Sequence, residues 1–293
     1  MPLPDTDVLL LDGATGTELD RRGYRLGEPI WSAAALVDAA DLIEQIHIDY
    51  LDAGAQAIVT NTFRTHARNI ARDPRGLDAA ELTKRAVDIA IRARDRINPD
   101  ALVLGSVAPL EECYDPNQSP PRADCHAEHA QIIEQLLDAG VDTILIETMV
   151  TQHEAVAAAA EAQRAAPGNW MISFVLRSED PPGRMLHGKP VLDVISEIDG
   201  ALAVGVNCAA ANTTAHHVSL LRQMLPEPIR VMAYANTDAL DMATGRWIDG
   251  ALPDADAFAD SAMSWVDAGA TIIGGCCGTT PEMIAAIACR LGR

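Results

Sequence analysis

Short apolar runs recur eight times along the chain, and each is followed by turn residues and a segment with helical periodicity. Runs of this length that are rich in Val, Ile and Leu indicate strands buried on both faces, as in parallel sheets. Their alternation with helices predicts an α/β fold, and eight repeats favour a single-domain (β/α)8 barrel over residues 1–293. A doubly wound open sheet is the alternative. The predicted strands cover residues 8–13, 57–63, 102–109, 143–149, 171–176, 201–208, 230–236 and 271–278.

A short motif repeats before three of these strands. The segments LDAGAQAIVTNTF, LDAGVDTILIETM and VDAGATIIGGCCG each join a helix end, a Gly and a strand. Gly54, Gly140 and Gly269 are therefore expected to end helices in the left-handed conformation, which glycine adopts without steric cost.

The net charge of −20 narrows the classes of partner. With 42 acidic and 22 basic residues, the chain should repel nucleic acid and anionic membranes, and most of its acidic residues are expected to serve solubility. The sequence has no run of about 18 apolar residues and no signal-peptide pattern. Six cysteines in 293 residues do not resemble a secreted disulfide scaffold. We therefore expect a cytoplasmic protein that acts on small molecules, and we leave open whether it forms a homo-oligomer.

Polar side chains and thiols end most of the predicted strands. Because the carboxyl ends of all strands meet at one face of a barrel, where barrel enzymes carry their active sites, these residues are expected to form one site. A polar residue at a single strand end needs no special explanation, but three thiols do. In chain order the residues are Asp12, Asn61, Thr62, Ser106, Glu147, Asn207, Cys208, Asn236, Cys276 and Cys277.

The three thiols suit a metal ion. Cys208 ends the sixth predicted strand, and Cys276 and Cys277 end the eighth. Three thiolates with an open fourth position are typical ligands of a catalytic zinc. Adjacent side chains on a regular strand face opposite ways, so the glycines at 274, 275 and 278 are expected to permit a bulge or bend that turns both cysteines to one ion. Buried structural thiols and a redox-active disulfide between the adjacent cysteines are the alternatives.

A zinc site of this kind favours one type of chemistry. A free thiol, with a pKa of about 8.5, is only about 3% ionised at neutral pH. A metal that binds a thiol substrate as its thiolate raises the ionised fraction. The anionic cluster also favours a cationic electrophile, because attack on a cation neutralises charge. The site therefore predicts transfer of a group from a cation to a thiol.

The strand-end motifs LLDGATGTEL, TNTF, LIET, GVNC and GGCCGT together resemble those of the homocysteine S-methyltransferase family. The similarity runs from about residue 8 to about residue 290. It implies a (β/α)8 barrel and a zinc ion, Zn²⁺, held by Cys208, Cys276 and Cys277. It also implies that the thiolate of homocysteine takes the fourth position on the metal and that methionine is the product.

The resemblance also implies roles for other strand-end residues. Asp12 and Glu147 fall where the family's acidic residues hold the substrate ammonium, and Thr62 would help to hold the amino-acid end. Asn236 matches a position that coordinates zinc in some members when substrate is absent. Asn207 is a candidate to orient the neighbouring thiolate.

Three histidines near the predicted site are given no metal role. His216 and His217 follow the sixth strand closely and are expected to be exposed in the first turn of the next helix. His66 follows the second strand and is a weaker candidate for the donor side of the site.

The methyl donor is expected to be a small sulfonium, such as S-methylmethionine or S-adenosylmethionine. Quaternary ammonium donors such as betaine are commonly held by aromatic cages, but the chain has only four Trp, four Tyr and three Phe. Of these, Trp31, Phe63 and Tyr114 are expected near the site. Glu111 and Glu112, in the loop after the third strand, would suit a cation.

Two other functions remain open at this stage. The chain could be a zinc- or thiol-binding barrel that has lost or redirected methyl transfer. It could also be a methyl acceptor module served by a corrinoid protein.

Overall fold

The computed structural model describes residues 7–177, 183–237 and 254–293, together with the backbone of two short strands, Leu240–Asp241 and Arg246–Trp247. These two strands pair antiparallel and lie outside the main sheet.

Eight parallel strands form the centre of the fold. Their hydrogen-bonded order is β1, β8, β7, β6, β5, β4, β3, β2. A parallel bridge between Leu11 and Ala57 joins β1 to β2 and completes the ring. The (β/α)8 barrel is therefore confirmed, and the open-sheet alternative is wrong. The strands are β1 (Leu9–Leu10), β2 (Ala57–Val59), β3 (Leu102–Val107), β4 (Thr143–Met149), β5 (Trp170–Phe174), β6 (Ala203–Ala210), β7 (Arg230–Asn236) and β8 (Ile272–Gly275).

Helices surround the barrel and return the chain between strands. Two short 3-10 helices, Trp31–Ala34 and Pro116–Gln118, lie in the loops after β1 and β3. No helix within the described ranges is both long and apolar enough to cross a membrane. The α-helices are α1 (Thr15–Arg21), α2 (Ala35–Asp38), α3 (Ala40–Asp52), α4 (Ala67–Ile70), α5 (Ala79–Ile97), α6 (Arg122–Ala139), α7 (Gln152–Ala165), α8 (Val191–Ile195), α9 (Ala211–Met224), α10 (Ala255–Asp267) and α11 (Pro281–Arg290).

Apolar side chains fill both sides of the barrel wall. Leu9, Leu104 and Leu145 pack inside the barrel. Their strand neighbours Leu10 and Ile144 pack outward against the helices. Burial on both faces explains why the strands are almost continuously apolar in sequence.

The three repeated glycines end helices as expected. Gly54, Gly140 and Gly269 have φ angles of 100°, 96° and 109°, in the left-handed region. Each follows a helix and precedes a strand, so this prediction is confirmed.

The first two strands are shorter than the sequence pattern predicts. β1 ends at Leu10 and β2 at Val59, whereas the apolar patterns extend to residues 13 and 63. Most of the residues that follow, including Asp12, Gly13, Thr60, Asn61 and Phe63, line a cavity at the carboxyl end of the barrel.

Close packing between β6 and β7 gives a test of the fold. A Cβ atom added at Gly205 would lie 2.6 Å from Cβ of Met232 and even closer to its carbonyl oxygen. We expect Gly205→Ala to lower the free energy of unfolding by roughly 1–3 kcal/mol, because the neighbouring strand cannot move away without opening the ring. Gly27→Ala is the matched control, since a Cβ there meets nothing within 4 Å. Urea denaturation followed by circular dichroism would compare the two, and equal stabilities would contradict the register described here.

Candidate active site at the carboxyl end of the barrel

A cavity of about 880 Å³ opens at the carboxyl ends of the strands. Seven of the ten predicted strand-end residues line it: Asp12, Asn61, Ser106, Glu147, Cys208, Cys276 and Cys277. They lie in or just after β1, β2, β3, β4, β6 and β8, so residues far apart in sequence meet in one chamber.

The three sulfur atoms form a cluster in which all Sγ atoms lie within 4.8 Å of one another. The Sγ atoms of Cys208 and Cys276 are 2.9 Å apart. Hydrogen bonds from Cys208 and Cys277 hold the pKa of Cys276 well below its usual range, and the contact with Cys276 raises the pKa of Cys208. The cluster thus favours a thiolate at Cys276.

Cys208 reaches this cluster because β6 is irregular at its end. The residue has a φ of 51°, in the left-handed region. The pairing of β6 with β7 shifts register between Asn207 and Ala210. This break in the strand turns the thiol into the cavity rather than into the barrel wall.

The glycines before the adjacent cysteines act differently from the expectation. Gly274 and Gly275 stay within β8 and pair in register with β7. A Cβ on Gly274 would lie 2.7 Å from Cβ of Leu11, and one on Gly275 would lie 2.6 Å from Cβ of Thr279. Gly274 permits close approach of Leu11 and the Asp12 carbonyl, and Gly275 leaves room for the Thr279 side chain. Of these glycines only Gly278, with a φ of 81°, supplies a bend. Both cysteines lie in the turn beyond the strand, so the expected bend is present at Gly278, whereas Gly274 and Gly275 form no bulge.

Side chains from three parts of the barrel hold that turn. Asn236 Oδ1 accepts a hydrogen bond from the Cys277 amide at 2.9 Å. The Thr279 hydroxyl donates to the Cys276 carbonyl at 2.7 Å, and Thr17 Oγ1 accepts from the Gly278 amide at 2.8 Å. Asn236 thus fixes the backbone of the cysteine pair and is not itself among the described cavity-lining residues.

Two buried carboxyl groups face the cysteines. Asp12 is 2% exposed and accepts a hydrogen bond from the Val59 amide at 2.9 Å. Glu147 is 8% exposed and accepts hydrogen bonds from Ser106 Oγ at 2.5 Å and from the Tyr234 hydroxyl at 3.3 Å. Burial raises the pKa of Asp12 well above its usual value and that of Glu147 to about 7. In the described part of the chain no basic side chain contributes to the pKa of either carboxyl group.

Comparison with known proteins identifies the family of this chain. The family model for homocysteine S-methyltransferase matches residues 9–291. The chain belongs to the homocysteine S-methyltransferase family. It is 36% identical to homocysteine S-methyltransferase from Escherichia coli K12, over 98% of this chain and 96% of that protein. It is 32% identical to homocysteine S-methyltransferase YbgG from Bacillus subtilis, over 96% of this chain and 93% of that one.

Solved structures agree with these sequence matches. The metallated form of homocysteine methyltransferase MmuM from Escherichia coli has a TM-score of 0.81 and 33% identity, covering 98% of this chain and 97% of that chain. The oxidized form of the same enzyme has a TM-score of 0.82. The resemblance inferred from the motifs is confirmed, and the protein is a homocysteine S-methyltransferase-family enzyme of the methyltransferase class.

Asn207 lies behind the cavity of this methyltransferase and joins β4, β5 and β6. Its Oδ1 accepts hydrogen bonds from the Thr148 amide at 2.9 Å and from Ser173 Oγ at 2.8 Å. Its Nδ2 donates to Thr148 Oγ1 at 2.8 Å. Ser173 continues the network to the Tyr234 hydroxyl at 2.6 Å. Ser173 and Tyr234 were not predicted from the sequence, because an inward-facing polar residue in mid-strand has no distinguishing pattern.

Thr62 is also buried behind the lining. Its hydroxyl donates to the Ser106 carbonyl at 2.8 Å and shares a hydrogen bond with Thr60 at 2.8 Å. Thr60 lines the cavity, whereas Thr62 is not among the described lining residues. The binding role expected of Thr62 therefore stays a prediction.

Aromatic side chains stand at the opening of the methyltransferase cavity. Trp31, Phe63 and Tyr114 all line it, as expected. The rings of Trp31 and Phe63 meet edge to face, with centroids 6.0 Å apart. Trp31 has a φ of 43°, and a side chain at Gly16 would collide with its indole ring. Gly16 therefore leaves room for the indole at the mouth.

The three histidines lie away from the cavity. His216 is exposed, as expected, but His217 is 1% exposed, and both lie in the second turn of α9 rather than the first. The prediction for His217 is wrong because the position falls on the face of α9 that packs against the barrel. His66 is buried and accepts a hydrogen bond from the Asn69 amide at the start of α4.

The loop after β3, which carries Tyr114 over the cavity, is fastened by Glu154 on α7. Glu154 is 1% exposed. Its carboxylate accepts hydrogen bonds from the Leu110 amide at 2.8 Å and from Ser119 Oγ at 2.5 Å, and His129 Nε2 lies 3.3 Å away. One buried carboxylate therefore holds both ends of the loop.

This anchor can be tested by hydrogen exchange. Glu154→Ala removes the acceptor for Leu110 and Ser119, and we expect amide exchange across residues 108–121 to accelerate roughly tenfold. Glu161→Ala, on the same helix, removes only pairs with Arg164 and His126 and should leave the loop protected. Equal protection of the loop in both variants would show that Glu154 does not hold it.

Proposed function

We propose that this enzyme transfers a methyl group from a small sulfonium donor to the thiol of L-homocysteine, with a zinc ion held by Cys208, Cys276 and Cys277. The observation that carries the proposal is the cluster of three thiols within 4.8 Å, in one cavity with two buried carboxyl groups. The cavity volume of about 880 Å³ suits two small substrates side by side.

The three cysteines fit a zinc ion by chemistry and by arrangement. Thiolates are soft ligands that select zinc over hard cations, and three protein ligands leave a position for a substrate. All three cysteines line the cavity, so that position would face the substrates. When bound, the ion would lower the pKa of the homocysteine thiol, so that it is ionised at neutral pH. The metallated Escherichia coli relative shows that one member of the family binds a metal.

Asp12 and Glu147 would hold the homocysteine ammonium. Both carboxyl groups are buried in the cavity, and Cys276 contributes to the raised pKa of each. An ammonium group between them would favour their ionised forms and make charge-assisted hydrogen bonds. Ser106 and Tyr234 would keep the Glu147 carboxylate in place. The amino-acid head would then be fixed on one side of the cavity and the sulfur on the other.

Methyl transfer needs only homocysteine and the sulfonium donor. The homocysteine thiol releases its proton to solvent on binding. The sulfur then attacks the donor methyl carbon in line, a sulfur–carbon bond forms, and the electron pair of the breaking bond moves to the donor sulfur. Methionine and a neutral thioether result. The residues contribute by positioning, since two substrates held in line convert a bimolecular step into an intramolecular one.

The cavity lining supports a cationic sulfonium donor. Trp31 and Tyr114 add aromatic rings to the lining, and Asp20 and Glu28 add negative charge. Trp31 and Phe63 meet edge to face instead of forming parallel walls, so they do not by themselves enclose a quaternary ammonium group.

Metal content and methionine formation test the proposal together. Protein purified under reducing conditions should contain about one zinc per chain and should form methionine from homocysteine with S-methylmethionine or S-adenosylmethionine. Cys208→Ser should lower zinc affinity and activity by roughly 100-fold without unfolding the barrel. Cys289→Ser, at an exposed thiol on α11, is the control and should change neither.

Three results would contradict parts of this assignment. Zinc binding without methionine from any donor would refute the transferase function. Methionine formed only with a methylated corrinoid protein would refute a free sulfonium donor. Unchanged metal content in Cys208→Ser would remove Cys208 from the ligand set.

The raised pKa of Glu147 predicts a pH dependence of binding. The carboxylate is needed to hold the ammonium, so affinity should be high above the pKa of about 7 and should fall as pH drops through it. L-Methionine is a suitable probe because its thioether does not titrate. We expect its affinity to fall roughly tenfold between about pH 8 and about pH 6, measured by calorimetry. Glu147→Gln should bind more weakly and should flatten this profile, whereas Glu161→Gln should retain it. A wild-type affinity that does not change over this range would refute the role of Glu147.

A further inference from the structure

Arg64 is the only basic residue among the described residues that line the cavity. Five carboxyl groups line the same space, from Asp12, Asp20, Glu28, Glu112 and Glu147. A substrate carboxylate entering this chamber would be repelled unless it met a cation.

The guanidinium of Arg64 is only partly exposed but keeps most of its hydrogen-bonding capacity. The side chain is 11% exposed and stacks on Phe63, with Cζ 5.3 Å from the ring centroid. Nη1 donates to the Glu111 carbonyl at 2.9 Å. Nη2 lies 4.0 Å from Glu112 Oε2, which is too long for a hydrogen bond. Within the described part of the chain, four of its five N–H groups therefore have no acceptor.

The surrounding charges leave Arg64 available for a ligand. Glu111, whose carbonyl contacts Arg64, has its carboxylate paired with two other arginines. Arg72 Nη2 lies 2.6 Å from Glu111 Oε1, and Arg68 Nη1 lies 3.3 Å from the same atom. Arg64 contacts only the backbone carbonyl of Glu111. The Glu111 carboxylate is thus engaged by Arg68 and Arg72 and is not among the described cavity-lining residues.

We propose that Arg64 binds the α-carboxylate of the methyl donor and that Glu112, beside it, takes the α-ammonium. This inference rests on the proposed function, and it adds the two residues that would hold the charged head group of a sulfonium such as S-methylmethionine.

The geometry of a guanidinium explains why arginine suits this place. Two parallel N–H groups match the two oxygens of a carboxylate, and the flat face stacks on an aromatic ring, as on Phe63. Arg64 and Glu112 are 4.0 Å apart at their nearest charged atoms. An α-amino acid carries its two charges on one carbon, so an adjacent cation and anion can meet both at once.

The acceptor site and the donor site are distinct in their neighbours. Asp12 accepts a hydrogen bond from the Val59 amide, and Glu147 accepts from Ser106 and Tyr234. Arg64 instead stacks on Phe63 and donates to the Glu111 carbonyl in the loop after β3. The homocysteine head group is therefore assigned to the carboxyl pair and the donor head group to Arg64.

Four sulfonium donors separate the charges that the proposal assigns. S-Methylmethionine carries both a carboxylate and an ammonium, dimethylsulfoniopropionate only the carboxylate, (3-aminopropyl)dimethylsulfonium only the ammonium, and trimethylsulfonium neither. The zinc-loaded wild-type enzyme, Arg64→Gln and Arg72→Gln would be compared by kcat/KM. Arg72 is the matched control. It pairs with the Glu111 carboxylate close to Arg64, but it is not among the described cavity-lining residues.

Arg64→Gln should lower kcat/KM for the two carboxylate donors, relative to the two donors without a carboxylate, by roughly 10- to 100-fold. The KM for homocysteine at saturating donor should not change. Arg64→Lys should recover part of the loss, since it restores the charge without the planar fork. Glu112→Gln should discriminate against the ammonium donors instead. Arg72→Gln should leave the ratios of kcat/KM among the four donors as in the wild type. Adding S-adenosylmethionine as a fifth donor would show which of the two amino-acid sulfoniums the enzyme prefers.

Two outcomes would overturn the inference while leaving the proposed function intact. An equal loss with all four donors would mean that Arg64 acts on structure or general charge. A raised KM for homocysteine alone would assign Arg64 to the acceptor. If the wild type forms no methionine with any donor, the proposed function fails. Calorimetric binding of S-methylmethionine to wild type and Arg64→Gln would then still decide the role of Arg64, because equal affinities would refute it.

Discussion

The side-chain amide of Asn207 joins the two strand ends on which the active site depends. It accepts a hydrogen bond from the Thr148 amide and donates one to the Thr148 hydroxyl. Thr148 and Cys208 both have left-handed backbones, with φ of 61° and 51°, and each costs roughly 1–2 kcal/mol in a residue other than glycine. These two turns direct Glu147 and Cys208 into one cavity. Hydrogen bonds between Thr148 and the buried Asn207 amide offset part of that cost.

Burial of acidic groups without cations sets the electrostatics of the cavity. Asp12 and Glu147 have raised pKa values because they are buried, and the Cys276 thiolate adds to both. Removing charge from water is costly, and a buried group without a partner tends to take up a proton instead. A metal ion and a substrate ammonium would replace those protons. Binding of substrate and metal should therefore be coupled to proton release, and the cavity should select cations before any specific contact is made.

The sequence was sufficient to predict the barrel and the thiol cluster, because both depend on patterns visible along one chain. Apolar runs mark strands buried on both faces, and strand-end thiols lie at one face of the barrel once the strands close into a ring. Other features depend on contacts between distant segments. Tyr234 reads as an ordinary core residue until its hydroxyl is seen beside Glu147. His217 was expected to be exposed, because the sequence does not show which face of α9 packs against the barrel. Gly274 was expected to bend the chain, whereas the close approach of Leu11 is what requires it.

Different strands and loops of the barrel would hold the two substrates, and this arrangement would set how they approach each other. Under the proposed function, β6 and β8 hold the acceptor sulfur, and the ends of β1 and β4 hold its ammonium, so homocysteine spans the barrel axis. The loops after β2 and β3 remain for the donor, and they carry Phe63, Arg64 and Tyr114. A donor whose charged head is fixed at Arg64 would present its sulfonium toward the thiols from the opposite side. Opposed anchoring of the two substrates is what an in-line transfer requires, since a reacting pair gains most when both partners lose their freedom before the bond forms.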